Sequence, residues 1–338
     1  MLLTMTGRVK QSSLIVFASI AMLGACVLVT LHSLSQLYHR TPSLGGNGPN
    51  VKDKDIGVKL SPSETAKGPD SEDQEMQYTG YPVATSSPTL AGLGKFVENF
   101  SKNRTVVEDA HKNIKDINWW VNSGAYLYVK DGIGRTIHGP LPKDDVWRIK
   151  YAKSKAGETD NGYYPQNIFR LVTRSVWNNL EQSAYFRIDK YNLSSSKYRQ
   201  ASNGLLLFNH YQDGYNLYYT GLRVDGYAVV KKKYKSNYYT MALAKVFDES
   251  KYDRDKNPNL IPLNTWIGVK SRVFDEGSKV HVQVYIDIGR KGIWNKVIDV
   301  VDDGKKYGGT AITKEGFAGI RTDFMDVSFD DYKIEEKK

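Results

Sequence analysis

From 279 to 288 apolar and polar residues alternate strictly: Val280, Val282, Val284 and Ile286 point to one side, His281, Gln283, Tyr285 and Asp287 to the other. A period of two is that of a half-buried strand. The first set is therefore predicted core, and the second a polar row on an outer face or along a groove. Residues 205–244 read as an antiparallel meander, with strand-like runs broken at Asp213-Gly214, Asp225-Gly226 and Ser236-Asn237. Such dipeptides supply the positive φ angles that tight hairpins require. With Asp225-Gly226 as a two-residue loop, the predicted register sets Val224 opposite Tyr227, Leu222 opposite Val229, Thr220 opposite Lys231 and Tyr218 opposite Lys233. The other face then pairs Arg223 with Ala228, Gly221 with Val230 and Tyr219 with Lys232. The run Lys231-Lys232-Lys233 divides between the faces. Only Lys231 and Lys233 beside Tyr218, or Lys232 beside Tyr219, can meet one ligand.

Further strands are predicted at 125–130, 166–173, 183–190, 266–273, 294–300, 316–321 and 325–334, and short strands or a brief helix within 96–117. Turn signals separate these segments, and helical stretches do not alternate with them. The pattern is that of an all-β sandwich or barrel. Composition agrees, with 23 Tyr and 29 Gly. The single cysteine, Cys26, rules out a disulfide framework within one chain.

Residues 14–31 form an uncharged, almost wholly apolar run preceded by Arg8 and Lys10. Its length suits a membrane span, and the basic flank favours a cytoplasmic N-terminus with the downstream chain exported. Residues 1–40 thus read as a membrane anchor. A cleaved signal peptide and a lipoprotein site at Cys26 are the alternatives, and both also place the remainder outside the cytoplasm. Residues 41–90, rich in Pro, Gly, Ser and charge, read as a disordered linker, and 91–338 as the folded domain. The anchor carries three basic residues and no acids, and the linker four lysines against seven acids, so the folded part holds essentially the whole net charge of +10. This favours anionic partners. No nucleic-acid motif is present.

The ordered segments WWVNSG from Trp119, YYPQNIFRLVTR from Tyr163, AYFRI from Ala184, YQDGYNLYYTGLRVDG from Tyr211, WIGVKSRV from Trp266 and GFAGIRTDFMDVSFDDYKI from Gly316 resemble the concanavalin A-like lectin/glucanase superfamily, close to laminin-G-like modules. The resemblance spans about 95–335. It implies a jelly roll of two curved antiparallel sheets, with the N- and C-terminal strands paired at one edge and ligand held on the concave face or rim loops. It also makes a structural calcium plausible, for which Asp326, Asp330 and Asp331 are the candidate ligands.

Members of that superfamily include hydrolases, lyases and binding modules, so the site must decide the function. The Glu-x-Asp-x-Glu strand of the retaining glucanases does not occur here. A lyase needs a cation to neutralise a uronate and a Tyr or His to move protons. Arg170, Arg174, Tyr185, His281, Gln283 and Tyr285 are the right residue types, in an order different from that of alginate-lyase-like jelly rolls. The main expectation is a surface-displayed, non-catalytic carbohydrate-binding module for anionic polysaccharide, using Arg187, Tyr218, Tyr219, Arg223, Lys231 and Lys233. A lyase or hydrolase and a protein-binding adhesion module are the alternatives. Sequons at Asn99, Asn103 and Asn192 are compatible with exposure.

Overall fold

A computed structural model describes residues 94–110 and 112–337. The proposed anchor (14–31) and linker (41–90) lie outside the described residues, and among the described residues no helix is long and apolar enough to cross a membrane. The chain opens with β1 (Lys95–Glu98), β2 (Arg104–Val107), β3 (Trp119–Ser123), β4 (Tyr126–Lys130) and β5 (Ile133–Arg135). Helix α1 (Val146–Ser154) precedes β6 (Ile168–Trp177), β7 (Leu180–Tyr191), β8 (Gly204–Asp213), β9 (Asn216–Arg223), β10 (Tyr227–Tyr234) and β11 (Asn237–Lys245). The last strands are β12 (Trp266–Glu276), β13 (Lys279–Ile288), β14 (Asn295–Asp302), β15 (Gly316–Asp323) and β16 (Met325–Glu336).

They form two antiparallel sheets. One runs β14-β13-β12-β7-β16-β5-β4-β2, with β1 added on β16; the other runs β11-β10-β9-β8-β15-β6-β3. The first strand thus pairs with the last, Phe96 opposite Ile334, as the resemblance implied. The architecture is an all-β jelly-roll sandwich. Among its described residues, the 96–117 region forms two short strands and no helix. Helix α1 was not anticipated. Its start is signalled by Asp145, whose carboxylate accepts from the backbone N–H of Trp147 at 2.8 Å and Arg148 at 3.4 Å.

The β13 prediction holds in detail: Val280, Val282, Val284 and Ile286 are buried in the inter-sheet core. Across the core Phe169 stacks on Phe329, centroids 5.5 Å apart. A polar bridge also joins the sheets at their centre. Asn209 accepts from Gln182 Nε2 (2.8 Å) and Ser271 Oγ (2.8 Å) and donates to Thr220 Oγ1 (3.0 Å), while Tyr332 OH donates to Gln182 (2.9 Å). Every member is partnered, and these hydrogen bonds offset the cost of burying polar side chains between the sheets.

The predicted β9–β10 register is corrected by one residue. The loop has three residues, closed by Gly226 N–H donating to Arg223 O at 3.0 Å with Gly226 at φ +92°, a turn followed by a glycine bulge. Ala228 therefore faces Leu222, Lys231 faces Tyr219 and Lys232 faces Tyr218. The slip changes what each side chain does. Tyr218 and Lys232 point into the core, both fully buried.

The buried Lys232 is not an orphan charge. Its Nζ lies 2.8 Å from Asp302 and donates to Gly309 O and Thr310 O, each at 2.8 Å. Asp302 accepts from Tyr218 OH at 2.6 Å and from Gly304 N–H at 3.0 Å. Burial, and then the Asp302 charge, push the Tyr218 phenol far above its ordinary pKa, so it stays a donor. This network ties β10 and β9 of one sheet to the end of β14 in the other and pins the loop before β15.

Candidate binding groove

The outer face of the nine-stranded sheet carries a groove of about 500 Å³. Its floor is set by alternation. Ala184 and Phe186 enter the core, so Ser183, Tyr185 and Arg187 of β7 face outward, as do Trp266, Gly268 and Lys270 of the neighbouring β12. Gly268 is required there: a Cβ would lie 2.7 Å from the Trp294 ring and 2.8 Å from that of Tyr185. Its absence lets the two rings approach to 5.5 Å between centroids.

Trp294 comes from the β13–β14 loop, which Asp287 holds in place. The buried Asp287 carboxylate accepts from Lys291 N–H (3.1 Å), Gly292 N–H (2.8 Å) and Tyr185 OH (2.8 Å). Cations then lie over the rings. Lys270 Nζ is 4.5 Å from the Trp294 centroid, and the Arg290 guanidinium is 5.1 Å from Tyr185 and 5.3 Å from Trp266. The Arg187 guanidinium is also 5.1 Å from the Trp266 centroid. Five cations (Lys95, Lys270, Arg290, Lys291, Lys333) and three acids (Glu181, Asp331, Glu335) line the groove. It offers aromatic rings beside cations that are in part paired with acids, leaving a net positive lining. Arg290 is paired with Asp330 and Asp331, Lys270 with Glu181 at 3.8 Å and Lys333 with Asp331 at 3.8 Å.

The six candidate lyase residues do not converge. Arg170 points away from the core on the far side of the sandwich, between Phe169 and Leu171, which are core residues of β6, and lies opposite Arg321 of β15. Arg174 is spent on backbone, donating to Asp116 O (2.9 Å), Trp119 O (3.3 Å) and Asn113 O (3.0 Å). His281 stacks on Phe274 at 4.7 Å and bonds Glu276 at 2.8 Å. Tyr285 donates to Gln283 (2.9 Å), which donates to Asp299 (2.9 Å). Tyr185 alone lies in the groove proper. Burial first, then the hydrogen bond to Asp287, raise its pKa far above the ordinary phenol value, which suits a fixed donor and not a proton acceptor.

The calcium candidates separate as well. Asp326 is buried and accepts from Gly139 N–H (2.8 Å), Gln166 Nε2 (2.9 Å) and Asn192 Nδ2 (3.1 Å). Asp330 and Asp331 each pair with Arg290 at 2.7 Å. Among the described residues no group of three or more His, Cys, Asp or Glu is placed to hold a metal ion. Asn192, one of the three sequons, is likewise committed inside, whereas Asn99 and Asn103 are exposed.

Of the six predicted ligand-binding residues, Arg187 borders the groove. Tyr218 is the core donor described above, and Arg223 braces its own turn through Asp225, at 3.1 and 2.5 Å. Tyr219, Lys231 and Lys233 lie on the side of the seven-stranded sheet that faces away from the inter-sheet core, and all three are buried there. There Tyr219 accepts from Arg321 at 3.1 Å and stacks with Tyr238 at 6.1 Å, and Lys231 and Lys233 lie 5.6 and 4.8 Å from the Tyr238 ring. Trp266, Lys270, Arg290 and Trp294 were missed by sequence reasoning. The outward alternation of Trp266, Gly268 and Lys270 was the available signal; the loop residues offered none.

No family model matches the chain, and no curated protein matches it. Among solved structures it is similar to the carbohydrate-binding module CBM66 from Bacillus subtilis, at 12% identity and TM-score 0.35, covering 72% of this chain and 96% of that one. It is also similar to a Bacillus licheniformis β-glucanase, at 8% identity and TM-score 0.39, covering 72% of this chain and 99% of that one. A third is a lichenase from a mouse hindgut metagenome, at 8% identity and TM-score 0.36, covering 72% and 98%. The fold is described by its own two antiparallel sheets and by the pairing of the first strand with the last.

Proposed function

We propose that the protein is a non-catalytic carbohydrate-binding module for anionic glycans, and that the groove over Tyr185 and Trp294 receives the sugar. The observation that carries this reading is the seating of Lys270 and Arg290 over the rings of Trp294, Tyr185 and Trp266. The reading rests on the groove and not on the likenesses to solved structures. The basic balance of the folded part supports acidic over neutral glycans. The uncharged run at 14–31 supports display outside the cytoplasm.

A glycan array with the full chain tests it. Retention of acidic oligosaccharides is expected, weakening as ionic strength rises. Trp294→Ala should lower affinity about tenfold or more, the loss of a ring that both stacks and holds a cation. Glycan binding kept at full affinity in Trp294→Ala would overturn the groove assignment. Tight binding to a protein with no glycan retained would favour an adhesion module.

A further inference from the structure

The side of the seven-stranded sheet that faces away from the core is basic and aromatic. Strand parity puts Arg170 of β6, Arg321 of β15, Tyr219 of β9 and Lys231 and Lys233 of β10 there, since Phe169, Leu171, Ile320, Tyr218 and Val230 beside them enter the core. The register links them: Lys231 faces Tyr219, and Arg321 faces Arg170. Four positive charges thus meet on one face, of which Arg321 is paired with Asp323 at 2.8 Å. All of these side chains are buried. Lys233 is 0% exposed, Tyr219 3%, Arg321 5% and Lys231 8%.

A lysine on an uncovered sheet face keeps its ammonium in water. The burial of Lys231 and Lys233 therefore calls for a cover, and among the described residues no third layer of strand or helix supplies one. The apolar cluster on this face takes its members from the strands of the sheet itself. Helix α1 packs elsewhere, where its Tyr151 joins Ala125, Ile137 and Leu141.

The chain before the described residues holds the electrostatic complement. Asp70, Glu72, Asp73 and Glu75 fall within one stretch of six residues that contains no Lys or Arg. Extended, six residues span roughly 20 Å. Arg170 on β6 and Lys231 on β10 stand four strand spacings apart in the sheet order, roughly 19 Å. The stretch 76–94, which joins the acids to β1, reaches roughly 60 Å when extended, more than a domain of this size is wide.

We infer that the acidic segment 70–75 of this same chain docks on the basic face of the seven-stranded sheet, its carboxylates against Arg170, Lys231, Lys233 and Arg321. Charge-assisted hydrogen bonds hold it there. The inference stands apart from the glycan reading, which concerns the other sheet. Docking would shorten the tether between the domain and residues 14–31.

The test uses the full chain in detergent. Acetylation at limiting reagent, read residue by residue by mass spectrometry, reports access to Lys231 and Lys233. The exposed Lys279 serves as reference, and Lys232, fully buried in the core, reports unfolding. The variant Asp70→Asn/Glu72→Gln/Asp73→Asn/Glu75→Gln is expected to raise acetylation of Lys231 and Lys233 about fivefold or more, with Lys279 unchanged and Lys232 still unmodified. In a mixture of isotopically light and heavy chains, a carbodiimide is expected to couple residues 70–75 to Lys231 or Lys233 within one chain, with a yield that falls as salt is added. Unchanged acetylation of both lysines overturns the inference, and so does a rise without within-chain coupling. Coupling between light and heavy chains assigns the face to a second copy and overturns it. Acetylation that rises in the unaltered chain only after digestion of co-purified acidic polysaccharide assigns the face to a glycan, with the same consequence.

Discussion

Replacing Asp302 by alanine is expected to lower the unfolding free energy by about 3–5 kcal/mol, because removal of one partner strands a buried charge. The ammonium of Lys232 would lose its counterion and keep only the Gly309 and Thr310 carbonyls. Tyr218 OH would lose its acceptor while still accepting from Ile312 N–H at 2.9 Å. Neither group can reach water, since Lys232 and Tyr218 are both fully buried. Lys232→Met should cost a similar amount, now by stranding Asp302. The double variant Lys232→Met/Asp302→Leu should recover much of either loss, since an apolar pair of similar volume carries no desolvation penalty. Urea unfolding followed by circular dichroism and by tryptophan fluorescence measures all three. A single-variant loss below about 1 kcal/mol, or a double variant no better than the singles, would contradict the network as described.

Trp119→Ala is expected to cost about 3–5 kcal/mol, the usual range for deleting a large buried aromatic side chain. Trp119 closes one end of the sandwich. From β3 of the seven-stranded sheet its ring meets Tyr332 at 4.8 Å and Phe96 at 5.6 Å, both on the other sheet, and its Nε1–H donates to Glu98 at 3.2 Å. Phe96 and Tyr332 belong to the first and last strands, so the cavity would open where those strands pair. Trp119→Phe should cost less by keeping the edge-on contacts. Truncation of Trp120, which faces away from the inter-sheet core with Val172 and Phe208, should cost less than truncation of Trp119. Equal losses at 119 and 120 in the same denaturant series would contradict the facing assigned to β3.

The alternation from 279 to 288 is enough to place four apolar residues in the core and four polar ones outside it, because a pleated strand admits no other arrangement. The Asp-Gly and Ser-Asn turns likewise locate the meander strands. They do not give its register. A two-residue and a three-residue loop share the same Asp225-Gly226 signature, and Gly226 enters the bulge form, which sets the buried Lys232, and not Lys233, opposite Tyr218. Sequence reading therefore mistakes Tyr218 for a surface tyrosine. A buried lysine is recognisable only once Asp302, seventy positions on and in the other sheet, is seen beside it.

The sites divide in the same way. Residue type and strand parity put Tyr185 with Arg187 on one face of their strand, and Gln283 with Tyr285 on one face of theirs, and this was legible in the chain. The separation of Arg170 from Tyr185 onto opposite sides of the sandwich was not, because local periodicity says which residues share a strand face and never which sheet the strand joins. Asp330 and Asp331 have the chemistry of metal ligands, but the β13–β14 loop delivers Arg290 to them. Trp294 and Arg290 reach the groove through a loop fixed by Asp287 hydrogen bonds. By itself, then, the sequence determined the all-β class, the core parity of its clearest strand and the basic balance of the folded part, all consequences of short-range pattern and composition. Tertiary structure alone decided which cations meet which rings and which charges are neutralised, because those pairings depend on strand order and loop closure, to which local sequence is blind.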